Sequence, residues 1–200
     1  SLKGKDEFVF GNKIILPSKI LEEISTQEIE WPAIFNLRNL ENEINTNCGV
    51  SEFTAEDGCF YAPFWIIKRL EVKPGSKVGI KLVQLEKGKF ARLQPQSSDF
   101  LAVSNPKAIL ESRLRNFVCL TKSDVFGVEY NKKIFWFNVL EVKPGRSVCI
   151  IETDLDVDFA PPAQFENDVK PPVDNGPKEL PNSEESTDSE KFTGGRRLNE

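Results

Sequence analysis

The sequence predicts a mixed α/β, strand-rich fold followed by a disordered tail. Three observations carry this. Short runs rich in β-branched and aromatic residues recur along residues 1–159, separated by turn residues. Only about three stretches have helical spacing. Near Ala160 the composition changes: residues 160–200 hold six prolines, three glycines, nine acids and five basic residues, a local net charge of −4. Large apolar residues there are few and scattered, too few to offset the entropy of ordering the segment, so the folded unit is expected to end between 155 and 165. The whole chain of 200 residues carries −5, which leaves −1 for residues 1–159.

Each element has a local reason. Lys13–Leu16 reads as a strand ended by Pro17, and Ser18 as the cap of a helix over Lys19–Ser25, with Ile20, Leu21 and Ile24 on one face. Ala33–Leu37, Gly49–Phe53 and Cys59–Ala62 read as strands, the last two flanking a turn at Glu56-Asp57-Gly58. Phe64–Leu70 is apolar and fits helix or strand by periodicity alone. Lys77–Leu85 alternates as a strand should. Asn105 and Pro106 open a helix through Phe117, as cap and first residue. Val118–Leu120, Val125–Tyr130, Ile134–Val142 and Val148–Thr153 complete the strands. The three tryptophans and fifteen phenylalanines are most economically read as core, with an exposed aromatic patch as the alternative. The string Leu-Glu-Val-Lys-Pro-Gly occurs at 70–75 and 140–145, but its upstream flanks differ, so two Pro-Gly turns explain it better than a duplication.

Composition removes whole classes of function. Histidine is absent, which excludes Ser-His-Asp and Cys-His catalysis and His-ligated zinc. An acidic chain, pI about 5.1, lacks the basic face that nucleic acid requires. No apolar run approaches the roughly 18–20 residues of a membrane-spanning helix, and Ser1–Gly11 lacks a signal-peptide core, so neither membrane insertion nor secretion is expected. Cys48, Cys59, Cys119 and Cys149 have no metal-ligand spacing and lie in or beside apolar stretches. With no glycosylation sequon present, they read as buried reduced thiols of a cytoplasmic and nuclear protein. Asp154, Asp156 and Asp158 imitate a calcium loop, yet Phe159 and Phe165 replace its glycine and its bidentate glutamate. Their alternation with Leu155 and Val157 suits a strand with one wet face. Gly194-Gly195 is no phosphate loop, because no strand precedes it. No catalytic residue, metal site or cofactor is expected.

Longer strings point further. Gly11–Pro17, Cys48–Phe53, Leu93–Leu101, Asn105–Glu111, Leu114–Thr121 and Ile150–Glu152 leading to Val157–Phe159 resemble, in order, the ubiquitin fusion degradation protein 1 family. Two departures stand at turns: Ala102 where the family tends to have Asp, and Ser123 where Gly is common.

The resemblance implies a flexible N-terminus over 1–10, a double-psi β-barrel over 11–102, a smaller α/β subdomain over 103–160, and Phe64–Leu70 as a helix. It also implies a non-enzymatic adaptor. Such proteins bind ubiquitin and polyubiquitin on clients, pair with the nuclear protein localisation 4 protein, and deliver clients to the valosin-containing AAA ATPase for unfolding and degradation, including ER-associated degradation. A structural subunit without ubiquitin affinity, and less so a carboxylate enzyme on the same barrel, are the alternatives. Within the tail over 161–200, the segment 192–198 (Phe192, Gly194, Gly195, Arg196, Arg197 and Leu198) is similar to the motif by which cofactors dock on that ATPase's N-terminal domain, contracted by one residue. Glycines would let the backbone approach a sheet edge, and Phe192 and Leu198 would fill pockets.

Overall fold

Lys13–Pro17 forms β1, with Ile14 and Leu16 fully buried. Pro17 has no N–H with which to extend a ladder, and the chain turns directly into α1 (Ser18–Ser25). Ser18 is the first helical residue and not the cap expected: Pro17 holds that position, and no side chain caps the helix. The computed structural model describes residues 8–26 and 29–163. Most of the N-terminus expected to be flexible (1–10) and nearly all of the tail (161–200) therefore lie outside the described residues.

The strands that follow are β2 (Ile34–Asn39), β3 (Asn45–Ala55), β4 (Val78–Val83), β5 (Phe90–Pro95), β6 (Cys119–Thr121), β7 (Val125–Tyr130), β8 (Lys133–Lys143), β9 (Ser147–Cys149) and β10 (Asp156–Phe159). The helices are α2 (Phe64–Leu70) and α3 (Pro106–Leu114), with a 3-10 turn at Ser98–Phe100. One sheet has the order β1-β3-β2-β4, a second β10-β5-β8-β7, and β6 pairs with β9. β1 runs parallel to β3 and β10 parallel to β5; the other pairings are antiparallel. The fold is a strand-rich mixed α/β fold of open sheets with few helices. The chain changes sheet between β4 and β5; residue 102 falls later, after the 3-10 turn.

Capping at α3 follows its sequence. Asn105 takes a left-handed conformation and its Oδ1 accepts from the Ala108 N–H at 3.2 Å, with Pro106 at the first helical position. β5 carries no sequence signal of comparable strength, since Phe-Ala-Arg-Leu-Gln-Pro contains no β-branched residue. Tertiary pairing makes it a strand: β8 lies on one side and β10 on the other. Its buried Gln94 is satisfied across both, donating to the Pro161 carbonyl at 3.1 Å and accepting from Asn138 Nδ2 at 3.0 Å. Cys59–Ala62, expected as a strand, contributes only a bridge between Tyr61 and Ile15.

The repeated hexapeptide adopts two structures. At 70–75 its leucine ends α2, Glu71 is left-handed at the helix C-cap, and Pro74-Gly75 turns the chain toward β4. At 140–145 the same Leu-Glu-Val runs within β8, and Lys143–Pro144 is a cis peptide.

The main core cluster runs from Ile14 to Val157, and a smaller one gathers Ile34, Val118, Cys119 and Cys149. Phe100 is the aromatic centre of the main cluster, edge-on to Phe137 with ring centroids 4.7 Å apart and to Phe135 at 5.2 Å. Contrary to the assignment from sequence, not every tryptophan joins it: Trp65 is buried, whereas Trp31 is 66% exposed and Trp136 is 36% exposed. Trp136 alternates with buried Phe135 and Phe137 on β8, so its ring falls on the other face of the sheet.

Candidate interaction surface

The first half of the chain is fastened to the second by buried polar side chains. Asn12, just before β1, donates through Nδ2 to the Cys119 carbonyl at 2.7 Å and accepts from the Val118 N–H at 2.7 Å. Within the first half, the Trp65 indole donates to the Gly11 carbonyl at 2.8 Å. Asn47 Nδ2 donates to Ser147 Oγ at 2.8 Å and Thr121 Oγ1 at 3.1 Å. Asp124 is buried among them, taking the Thr46 hydroxyl at 2.5 Å on one oxygen and Arg69 Nε at 3.1 Å on the other. Burial outweighs both partners and raises its carboxyl pKa from 3.8 to about 6. Among the described residues every buried polar side-chain atom of this seam is paired, so it acts as structural cement.

A groove of about 990 Å³ lies between α1, the 57–60 turn, the end of α2, the 72–77 turn and β4. Its walls are apolar, from Ile20, Leu40, Phe60, Val72, Val78 and Ile80. Lys73, Lys77 and the exposed Lys19–Asp57 ion pair stand among the lining residues. Leu40 is 53% exposed, a large apolar side chain held in water. Phe64, four positions beyond Phe60, is 70% exposed at the start of α2. An apolar trough of this size flanked by lysines suits a protein surface that offers an apolar patch. Two of its walls are turns legible in the sequence, Glu56-Asp57-Gly58 and Lys73-Pro74-Gly75. That they face one another was not legible, because the crossing of β1, β3 and β4 brings them together.

The residues singled out from sequence are placed as follows. Phe192, Gly194, Gly195, Arg196, Arg197 and Leu198 lie outside the described residues. Asp156 and Asp158 are exposed on β10 while Val157 is buried between them, the alternation of a strand with one wet face. Asp158 lies 3.5 Å from Arg92. Cys48, Cys119 and Cys149 are buried free thiols, and burial pushes the thiols of Cys48 and Cys119 upward. Cys59 departs from the expectation: it is exposed, in the turn at the groove, because the strand expected to hold it does not form. Among the described residues, no group of three or more Cys, Asp or Glu is gathered as a metal site would require. No helix there is long and apolar enough to cross a membrane.

Comparison with known proteins matches this division. Residues 1–86 fit the family described as ubiquitin fusion degradation protein UFD1, N-terminal subdomain 1, and residues 87–162 fit its N-terminal subdomain 2. The two matches meet where the chain passes from one sheet to the other. Ubiquitin fusion degradation protein 1 of Saccharomyces cerevisiae is 45% identical over 183 residues, covering 90% of this chain and 51% of that protein. The Homo sapiens ubiquitin recognition factor in ER-associated degradation protein 1 is 41% identical over 185 residues, 92% of this chain and 57% of that protein. The Dictyostelium discoideum ubiquitin fusion degradation protein 1 homolog is 38% identical over 202 residues, 98% of this chain and 61% of that protein. The chain thus spans about half to three fifths of the length of these relatives. With adjacent matches running unbroken from residue 1 to 162, through both sheets and the seam between them, the chain belongs to the ubiquitin fusion degradation protein 1 family.

Proposed function

We propose that this chain is a non-enzymatic adaptor that binds ubiquitin on client proteins and serves their degradation, including ER-associated degradation. The observation that carries the reading is family membership through both N-terminal subdomains, joined to relatives named for ubiquitin fusion degradation and ubiquitin recognition. Those names describe recognition and not catalysis. The apolar groove beside α1 supports the reading as a surface fit for a compact folded partner, and we place ubiquitin there. Contacts on one ubiquitin would be weak, and linked ubiquitins would tighten binding by avidity, by about 10²–10⁴ where geometry allows.

In the finer reading, the first half is a double-psi β-barrel, for which the parallel pairing of β1 with β3 is the supporting observation. The adaptor pairs with the nuclear protein localisation 4 protein and hands clients to the valosin-containing AAA ATPase, with residues 192–198 as the docking segment. It works in the cytoplasm and nucleus.

An amide-shift titration with mono- and tetra-ubiquitin tests the central claim. Reversible shifts centred on Leu40, Phe60, Val72 and Val78, saturating at lower concentration with tetra-ubiquitin, are expected. Absence of shifts with tetra-ubiquitin at millimolar concentration overturns ubiquitin binding by this chain. Shifts confined to other surfaces overturn the groove alone.

A further inference from the structure

A second concavity, a cleft of about 470 Å³, opens between α2 and strands β7 and β8 and shares no lining residue with the groove. α2 separates the two: Ile67 lines the groove, while Lys68 and Arg69 line the cleft.

Arg69 is the informative residue. Its Nε is tied to Asp124, whose other oxygen is tied to Thr46, so a buried carboxylate anchors the guanidinium by one atom. Among the described residues its terminal nitrogens make no hydrogen bond, and the side chain remains 26% exposed. A guanidinium is a rigid fork of donors. One fixed in place with its far end open is prepared for a second carboxylate, which it can hold by two parallel bonds. Exposed Lys68 adds a mobile positive charge. Across the cleft stands the indole of Trp136, an apolar wall in water beside the Gln96 amide and the Ser123 hydroxyl. Glu71 is the one acid in the lining, and it disfavours a dianion more than a single carboxylate.

We propose that this cleft binds an acidic peptide segment, with one carboxylate on Arg69, Lys68 beside it, and an adjoining apolar side chain laid against Trp136. The cleft is large enough for a short stretch of peptide and too small for a folded domain. The proposal does not depend on ubiquitin binding, because it uses another surface and another chemistry.

The test uses the full chain and an N-acetylated Asp-Leu-Glu-Glu peptide amide, followed by tryptophan fluorescence and calorimetry. Saturable binding that weakens with salt is expected, with its fluorescence change lost in Trp136→Phe. The matched Asn-Leu-Gln-Gln peptide should not bind in the same range. Arg69→Gln should weaken binding about tenfold or more, the loss of a charge-assisted pair. Because that change also frees Asp124, two exposed variants decide between a binding and a folding effect. Lys68→Gln should weaken binding about threefold and Glu71→Gln should strengthen it about threefold, both with unchanged thermal midpoints. Equal binding of the neutral peptide, or affinity unmoved by both exposed variants, overturns the proposal. Displacement by inorganic phosphate as effective as by the peptide also overturns it, since a bare anion site has no use for the tryptophan wall.

Discussion

The hydroxyl of Thr46 in β3 donates to the buried carboxylate of Asp124, 78 positions along the chain, at 2.5 Å. This bond, with Arg69 on the other oxygen, sets a pH dependence. Because burial raises the folded pKa from 3.8 to about 6, the folded state binds the proton more tightly than the unfolded chain. Stability from this group is therefore fully present below pH about 4 and is lost as pH rises toward and through about 6, by about 3 kcal/mol. Asp124→Asn cannot titrate. In urea unfolding, the stability of the natural chain relative to Asp124→Asn should fall by about that amount between pH 4 and 7. A difference constant with pH would show that Asp124 titrates normally.

Asn12 uses both ends of its amide on one short stretch of backbone, Val118 and Cys119. Asn12→Ala leaves a buried N–H and a buried carbonyl unpaired and should cost about 2–4 kcal/mol in chemical denaturation. Asn12→Asp keeps the acceptor and loses the donor, so it should still destabilise. A loss below about 0.5 kcal/mol in both would mean that water replaces the amide.

Gly49 in β3 meets the second half of the chain so closely that an added Cβ would lie 2.5 Å from Val118 Cγ2. Gly49→Ala should destabilise by about 1–3 kcal/mol through overpacking. Adding Val118→Ala should recover part of that loss, so a double-mutant cycle should show a favourable coupling, whereas additive losses would disprove the contact.

Ser123 has a φ of 74°, in the left-handed region that favours glycine. Removing its Cβ relieves backbone strain, so Ser123→Gly should raise stability by about 1 kcal/mol, read as a higher denaturation midpoint. A lower midpoint would indicate that its side chain contributes more than its backbone costs.

Outside the described residues, a peptide covering 187–200 should bind the valosin-containing ATPase N-terminal domain with about micromolar affinity, and Phe192→Ala or Leu198→Ala should each weaken it about tenfold. Unchanged binding in the double mutant leaves the segment a linker.

What the sequence determined by itself was local. Asn105 and Pro106 start α3, the strand Val125–Tyr130 has the bounds that its β-branched and aromatic residues indicate, and Pro17 ends β1, because each depends on backbone chemistry within a few residues. The family, too, was legible, since it is carried by strings of residues in order. Tertiary structure decided the rest. It made a strand of Phe90–Pro95 by supplying a partner on either side, and it gave one hexapeptide a helix end at 70–75 and a strand at 140–145. It left Trp31 and Trp136 in water, and it brought Thr46, Arg69 and Asp124 to one point. The physical reason is the same throughout. Propensity and capping are weak preferences between neighbours, whereas which face is buried, and which distant carboxylate meets which hydroxyl, depends on long-range pairing that overrides them.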